Sequence, residues 1–406
     1  MTLLERQTRV RQMRTARSWG KSLLVTVFAL AFFGSLPWLV VRGPYVFDAK
    51  HITSTGLADQ SGALVSGLRT AIVGGIAALG AIGALLYTAR NYRLSRRGQI
   101  TERFTKALEQ LDSKERCVRI GGILALEQIV RDAPEQVATD AARVLGHFIR
   151  DHAPRASTAP APAPDETHPD STPPEPSESL PDELDGDVQA ALTALTRLES
   201  RIHVDSREIL DFHGLHLARA KLKQADLTYA DLTGTMLRCA DLSEATLSGA
   251  LMNYANLDGA NLAQASLIEA RLSFATLTGA RLTKASLSNA YLFHATLAEA
   301  WLDEAELSGA NLTAATLTGA YLWNARLVGA RLHGQLSRAD FDGANLTHAH
   351  MGGTDAGGLA DTNLTAATLT GTNLRDTDLS RVAGLTPAQL NDAETNEGTI
   401  LPWRQS

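Results

Sequence analysis

Residues 305–330 read AELSGANLTAATLTGAYLWNARLVGA, and the spacing of their leucines decides the fold. Leu307, Leu312, Leu317, Leu322 and Leu327 recur at every fifth position, each with an alanine two residues earlier. Followed outward in both directions, the same frame runs without an insertion from Phe212 to Leu332, a total of 25 units. Leucine fills the centre of 23 of them, Phe212 and Met252 being the exceptions, and alanine stands two residues before the centre in 22, the exceptions being Leu210, Leu215 and Thr235. An α-helix repeats near 3.6 residues and a strand at two, so a strict period of five fits neither. Each unit must occupy one side of a regular coil. The large central residue and the small preceding one then point inward as stacked ladders, and the other three positions face water.

This unit resembles the A-(D/N)-L-x-x repeat of the pentapeptide-repeat family, over roughly residues 210–381. The resemblance implies a mainly β fold, a right-handed quadrilateral β-helix in which four units make one 20-residue coil. Coils about 4.8 Å apart pair their backbones with one another, leaving no long unpaired edge along the shaft. After Leu332 the frame slips. HGQL shortens one unit and moves the centres to Leu336, Phe341, Leu346 and Met351. MGGTDAGGLAD (351–361) breaks the frame again, and its four glycines mark a bulging loop before Leu364, Leu369, Leu374 and Leu379 resume. The repeat ends at GLTPAQLNDAE, where Thr386, Pro387 and Gln389 have the pattern of a helix start that would cap the last coil, so residues 382–406 are assigned as a C-terminal cap.

Upstream of the repeat the chain has a different character. Residues 1–22 are polar and basic, with Arg6, Arg9, Arg11, Arg14, Arg17 and Lys21. Two apolar runs follow, 23–41 and 70–89, the second free of charge. Twenty helical residues span roughly 30 Å, the thickness of a bilayer core. Both runs therefore read as transmembrane helices, the first as an uncleaved anchor because no A-x-A-like site follows it. Arg90, Arg93, Arg96, Arg97, Arg103 and Lys106 follow the second run, whereas the segment between the runs holds only Arg42, Lys50 and Arg69. The positive-inside rule then places both termini in the cytoplasm of a multi-pass plasma-membrane protein, with 42–69 as its external loop. Gly67, Ala71 and Gly75, spaced by four, allow close packing of the second span on the first or on a second copy, leaving a homodimer open.

Residues 90–152 read as a small helical module. In it Val118, Gly122, Ala125 and Ile129 would share one face, with Ser113 as a cap and Pro134 opening the next helix. TERFTKALEQL and VRIGGILALEQI resemble wording found in the cytoplasmic module of membrane proteins that also carry pentapeptide repeats. Residues 153–186, rich in proline, alanine and acid, are expected to form an extended flexible linker, and 187–209 an entry helix and N-terminal cap.

Against this frame the candidate functional residues are few. Aromatics are 5% of the chain, yet Tyr254, Phe274 and His294 are 20 apart and should stack on one face, with Tyr291 and Phe293 beside them. Trp301 and Tyr321 form a second column, with Trp323 adjacent, on the opposite face by unit counting. Exposed clustered rings point to a protein partner, and surface ladders that stabilise the stack are the plainer alternative. Lys284 and Glu304 read as a solvated pair, and Asp211, His213, His216, His348 and His350 as surface residues rather than metal ligands. Cys117 and Cys239 are too few for a disulfide framework or a zinc site. The sequence has no Walker loop, G-x-S-x-G or H-E-x-x-H, so no enzyme activity, no cofactor and no metal is expected.

Three functions are compatible with these features. The first is a membrane-anchored scaffold or binding module that presents the β-helix to a cytoplasmic protein. The second borrows from the quinolone-resistance members of the family, which resemble DNA and act on a topoisomerase. Between 210 and 382 this chain mixes about 12 basic with 17 acidic residues, and its net charge is −6, which argues against nucleic-acid mimicry and against a nucleic-acid partner. The third puts function in the helical module and membrane hairpin, with the β-helix as a spacer or oligomerisation surface.

Overall fold

The computed structural model describes residues 58–155, 184–197, 201–205, 208–351 and 362–403. The chain divides into two compact units, Met1–Gly98 and Gln99–Ser406. The apolar run 23–41 lies outside the described residues.

The first described element, α1 (Ala58–Leu111), is one continuous helix. Residues 58–69, assigned to an external loop by their charge, are helical, and no break separates 70–89 from the module that follows. The sequence explains this: 58–111 contains no proline, and a single glycine, Gly98, stands between Ala89 and Leu111. Within α1, Val73–Leu111 is long and apolar enough to cross a membrane by length and composition.

In the second unit, the last turns of α1 contribute Ala107 and Leu111 to the core, with Ile100 and Phe104 packed against it. Helices α2 (Arg116–Asp132) and α3 (Pro134–His152) follow, and Pro134 opens α3 in its first turn. The buried stripe of α2 is Gly122, Ile123, Leu126, Ile129 and Val130, while Val118 is exposed and Ala125 half-buried. The α2 stripe is thus rotated from the face expected, because α2 packs on a later helix as well as on α3. Ser113 does not cap α2; its Oγ accepts the Glu115 N–H at 3.2 Å, one residue before the helix begins.

Helix α4 (Gly186–Thr196) changes the expected organisation. It packs against α2 and α3, and its Val188, Ala191, Leu192 and Leu195 lie in the same core as Phe212, Leu217 and Leu222 of the first coil. The middle of the proline-rich segment, 156–183, lies outside the described residues; on either side of it the helical module and the coil share one continuous core, from Ala107 to Val382. Ion pairs reinforce the join: Arg116–Asp185, Arg119–Asp187, Arg197–Glu127, Arg143–Glu208 and Arg150–Asp211.

From Asp211 onward the chain forms the coil. Parallel bridges join residues 20 apart in four ladders, starting from Asp211↔Asp231, His216↔Met236, Lys221↔Asp241 and Asp226↔Thr246. Four units therefore make one turn. Central leucines from Leu217 to Leu332 are at most 2% exposed, and the alanines two residues before a centre, from Ala225 to Ala330, at most 3%. Where threonine replaces alanine, its hydroxyl finds a carbonyl: Thr235 donates to Phe212, Thr372 to Phe341 and Thr377 to Leu346, all at 2.8 Å. This pairing makes the polar substitution tolerable in a dry interior.

The backbone accounting explains the repeat motif. In the unit around Leu277, Thr276 N donates to Ala255 O, Leu277 N to Thr296 O, Gly279 N to Ala298 O, and Ala280 N closes the corner on Leu277 O. The N–H just after the central residue is left over. In many units the Asp or Asn before the leucine accepts it: Thr228 N to Asp226, Ser243 N to Asp241, Thr313 N to Asn311 and Thr347 N to Asn345, at 3.0–3.1 Å. An acidic or amide side chain bonding two residues on is an Asx turn, and the D/N preference follows from it.

The second residue after each centre is left-handed, with φ near +60° in every unit from Gly214 to Gly329, and 16 of those 24 residues are not glycine. A side chain costs about 1–2 kcal/mol in that conformation. Gly279 isolates the effect, since a Cβ there would meet nothing within 4 Å. Gly279→Ala is expected to lower stability by about 1 kcal/mol, measurable by urea unfolding, with no change in coil contacts.

Both ends of the coil are closed. At the first edge His216 N donates to Pro154 O, Asp226 N to Thr196 O, and the Gln189 amide bonds both Lys221 N and Lys221 O. At the far end Thr386 and Gln389 form a reciprocal capping box on a single 3₁₀ turn, Pro387–Leu390, and the Gln389 amide reaches Leu364 O and Ala367 O. Exposed ladder edges invite pairing with other chains, and these backbone and side-chain bonds block them.

Candidate protein-interaction surface

Because four units make one coil, the 20-residue columns read from the sequence are physical columns. Tyr254 and Phe274 stack at 5.1 Å between ring centroids and 4° between planes, and Phe274 and His294 at 5.1 Å and 5°. Phe293 meets both Phe274 and His294 edge-on, at 5.7 and 4.3 Å. These rings line one corner, and Tyr291 stands on the adjoining face, 51% exposed. The turn geometry produces the stack. Tyr254, Phe274 and His294 all hold the left-handed corner position, which aims their side chains alike at intervals of about 4.8 Å.

That face also carries residues the sequence reading passed over. Tyr229, Arg271, Asn311 and Arg331 join Tyr291 and His350, both already singled out, in bordering a groove of about 920 Å³ along the coil axis. Its floor is low because Gly249, Gly309 and Gly329 occupy the neighbouring corner column. Tyr229 lies over Gly249, so closely that a Cβ there would come within 2.4 Å of the ring. Glycines spaced in multiples of 20 beside an aromatic were the available signal.

Trp301 and Tyr321 lie on the opposite ladder, bridged to one another, with ring centroids 5.5 Å apart and tilted by 53°. Trp323 shares their surface and is 49% exposed. The Arg281 guanidinium sits 6.0 Å over the Trp301 ring. Lys284 and Glu304 pair at 3.4 Å across one coil step. Burial raises the Asp303 carboxyl above its usual range, and the neighbouring charges of Asp340 and Glu304 add to the shift.

The other candidates separate. His348 and His350 are exposed. Asp211 pairs with Arg150 at 2.5 Å and accepts the His213 N–H. His216 is not a surface residue: it is 6% exposed, because the helical module covers the edge on which it sits. Among the described residues no group of His, Cys, Asp or Glu is arranged to hold a metal, and both cysteines are free and exposed.

The pentapeptide-repeats family model matches eight copies, covering residues 216–334 and 335–382. The chain belongs to the pentapeptide-repeat family. HetL, a pentapeptide repeat protein involved in heterocyst differentiation regulation in the cyanobacterium Nostoc, is 32% identical over 47% of this chain and 84% of its own, with a TM-score of 0.33. QnrB1, a plasmid-mediated fluoroquinolone resistance protein, is 18% identical over 47% of this chain and 91% of its own, with a TM-score of 0.27. A pentapeptide repeat protein of the Arabidopsis thaliana thylakoid lumen is 24% identical over 39% of this chain and 72% of its own, with a TM-score of 0.20. No curated protein matches the sequence.

Proposed function

We propose that this pentapeptide-repeat protein is a membrane-anchored, non-enzymatic scaffold that holds a cytoplasmic protein against the aromatic columns of its coil. The observation that carries the reading is the ordered exposure of rings on two opposite faces, Tyr254–Phe274–His294 and Trp301–Tyr321–Trp323, in a chain that is only 5% aromatic. A rigid backbone presents these rings at low entropic cost, the property that makes Tyr and Trp frequent anchors of interfaces. The charge-free part of the Val73–Leu111 stretch, up to Ala89, and the basic residues from Arg90 to Lys106 support anchoring with the coil on the cytoplasmic side. The mixed charge of the coil supports a protein partner over a nucleic acid.

The test is an affinity pull-down from crosslinked membranes, comparing the intact chain with a Tyr254→Ala, Phe274→Ala, Trp301→Ala, Tyr321→Ala variant. The variant should melt as the intact chain does within a few degrees, since all four side chains are exposed. Recovery of the partner should fall by about tenfold or more. Unchanged recovery would make the rings structural and move attention to the helical module.

A further inference from the structure

The Trp301 face has a chemistry that the opposite corner lacks. Two parallel columns run along it, Trp301–Tyr321–Asp340 on the ladder and Asp303–Trp323–Asp342 at the adjoining corner, so each of three successive coils sets a ring, a carboxylate or both on this surface. Asp340 and Asp342 are fixed by the fold through one oxygen each: Asp340 Oδ1 accepts the Asp342 N–H and the Thr368 hydroxyl, and Asp342 Oδ1 accepts the Thr370 N–H. Among the described residues none of Asp303, Asp340 and Asp342 is in an ion pair. The neighbouring acid Glu304 is already matched by Lys284. Three rings about half exposed thus stand among three uncompensated carboxylates on a rigid backbone.

Indole and phenol faces attract cations through the ring quadrupole, and carboxylates take a guanidinium in paired hydrogen bonds. The surface already holds one cation in this way, the Arg281 guanidinium over Trp301. We infer that this face is the docking site for an arginine-bearing basic segment of the partner protein. The inference rests on the binding-surface reading above and deepens it by giving the partner's chemistry. Asp303 and Asp342 share a column two coils apart, about 9.6 Å at the usual spacing, and an extended peptide places every third residue about 10 Å apart. An R-x-x-R spacing therefore matches Asp303 and Asp342, with Trp323 between them to receive a guanidinium plane.

The probe is a fluorescein-labelled peptide, Arg-Gly-Ser-Arg-Gly-Ser-Arg, titrated by anisotropy against the detergent-solubilised full chain, with the glutamate-substituted peptide as control. The arginine peptide should bind and the glutamate peptide should not. Trp323→Ala and Asp303→Asn/Asp342→Asn should each weaken binding by about tenfold, while Ile268→Ala, at an exposed position outside both ring columns, should leave it unchanged. Failure of the arginine peptide to bind, or equal binding by Trp323→Ala and the intact chain, overturns the inference. If the peptide fails but the pull-down partner is still lost from the four-ring variant, only the cation chemistry falls. If both fail, the binding-surface reading falls as well.

Discussion

Replacing Arg119 by alanine is expected to loosen the helical cap from the coil and to cost about 3–5 kcal/mol. Arg119 joins three pieces of chain. Its Nη1 donates to Ser113 O and Lys114 O at 3.1 and 3.0 Å, fixing the turn after α1, and its Nε and Nη2 hold Asp187 Oδ2 at 2.6 and 2.5 Å, fixing the start of α4. Asp187 is 1% exposed, so removal of the guanidinium strands a carboxylate out of water. Burial alone would raise the Asp187 carboxyl, but the Arg119 hydrogen bond and charge, with the Val188 N–H, outweigh it and hold the group below the usual carboxylate range. A depressed acid stabilises the fold fully above its unfolded value of about 3.9 and loses that contribution as pH falls through the lower folded value. The intact chain should therefore lose cap stability only in strong acid. In Arg119→Ala the raising effect of burial remains, so the carboxylate destabilises the variant at neutral pH and protonation relieves the defect. Hydrogen exchange is the measurement of choice: Lys221 and Asp226, whose N–H groups bond to Gln189 and Thr196, should exchange faster, while coils beyond Leu277 keep their protection. The double variant Arg119→Ala/Asp187→Ala should recover much of the loss, because it leaves no buried charge. Loss in the double variant equal to that in the single would show that packing, not the charge, holds the cap.

What the sequence made legible and what it hid divide along a physical line. The coil could be read because its contacts repeat: a residue and its neighbour 20 positions on have the same environment, so Leu277 and Leu297, or Tyr254 and Phe274, announce their stacking in the letters alone. The frame slip at HGQL is visible for the same reason, as a broken repeat. The cap leaves no periodic trace. Nothing local in α4 shows whether Val188 and Leu192 meet helices 60 residues earlier or the coil that follows, and the proline-rich stretch between α3 and α4 suggests separation where packing joins them. His216 was misplaced by the same gap, since its burial depends on that cap. The basic-segment surface was partly legible. Trp301, Tyr321 and Trp323 stood out as rings, and Asp303 lies at the ordinary spacing of 20 from Trp323, but Asp340 and Asp342 join them only once the slip has shifted the column spacing from 20 to 19, as the Tyr321↔Asp340 bridge records.

That slip is also where a single methyl group should do most harm. At HGQL the chain skips one residue, and β1 (Ala315–Thr316) pairs with β2 (Gly334–Gln335) in parallel, Ala315 opposite Gly334. Gly334 has an ordinary φ, so its role is space rather than conformation: a Cβ would lie 2.1 Å from Ala315 O and 3.1 Å from Ala315 C and N. Those are backbone atoms of a ladder fixed on both sides, and no rotamer relieves the clash. His333, beside it, is 5% exposed, and its Nδ1 has no hydrogen-bond partner among the described residues. Burial, reinforced by His350 and Arg331, holds its imidazole below the usual value. The junction therefore favours neutral His333, and its stability should decline as pH falls below the unfolded value of about 6.5, levelling off below the lower folded value. Gly334→Ala is expected to cost about 3 kcal/mol or more, at the upper end for overpacking, because the neighbours are main chain. In a stack where each coil touches only its neighbours, damage at one interface separates what lies on either side. Coils from Leu336 to the Thr386–Gln389 cap should lose protection from hydrogen exchange together, while Leu217 to Leu297 keep theirs. Uniform loss along the whole stack would instead mean that the coil folds as one cooperative unit and that the slip is no weak joint.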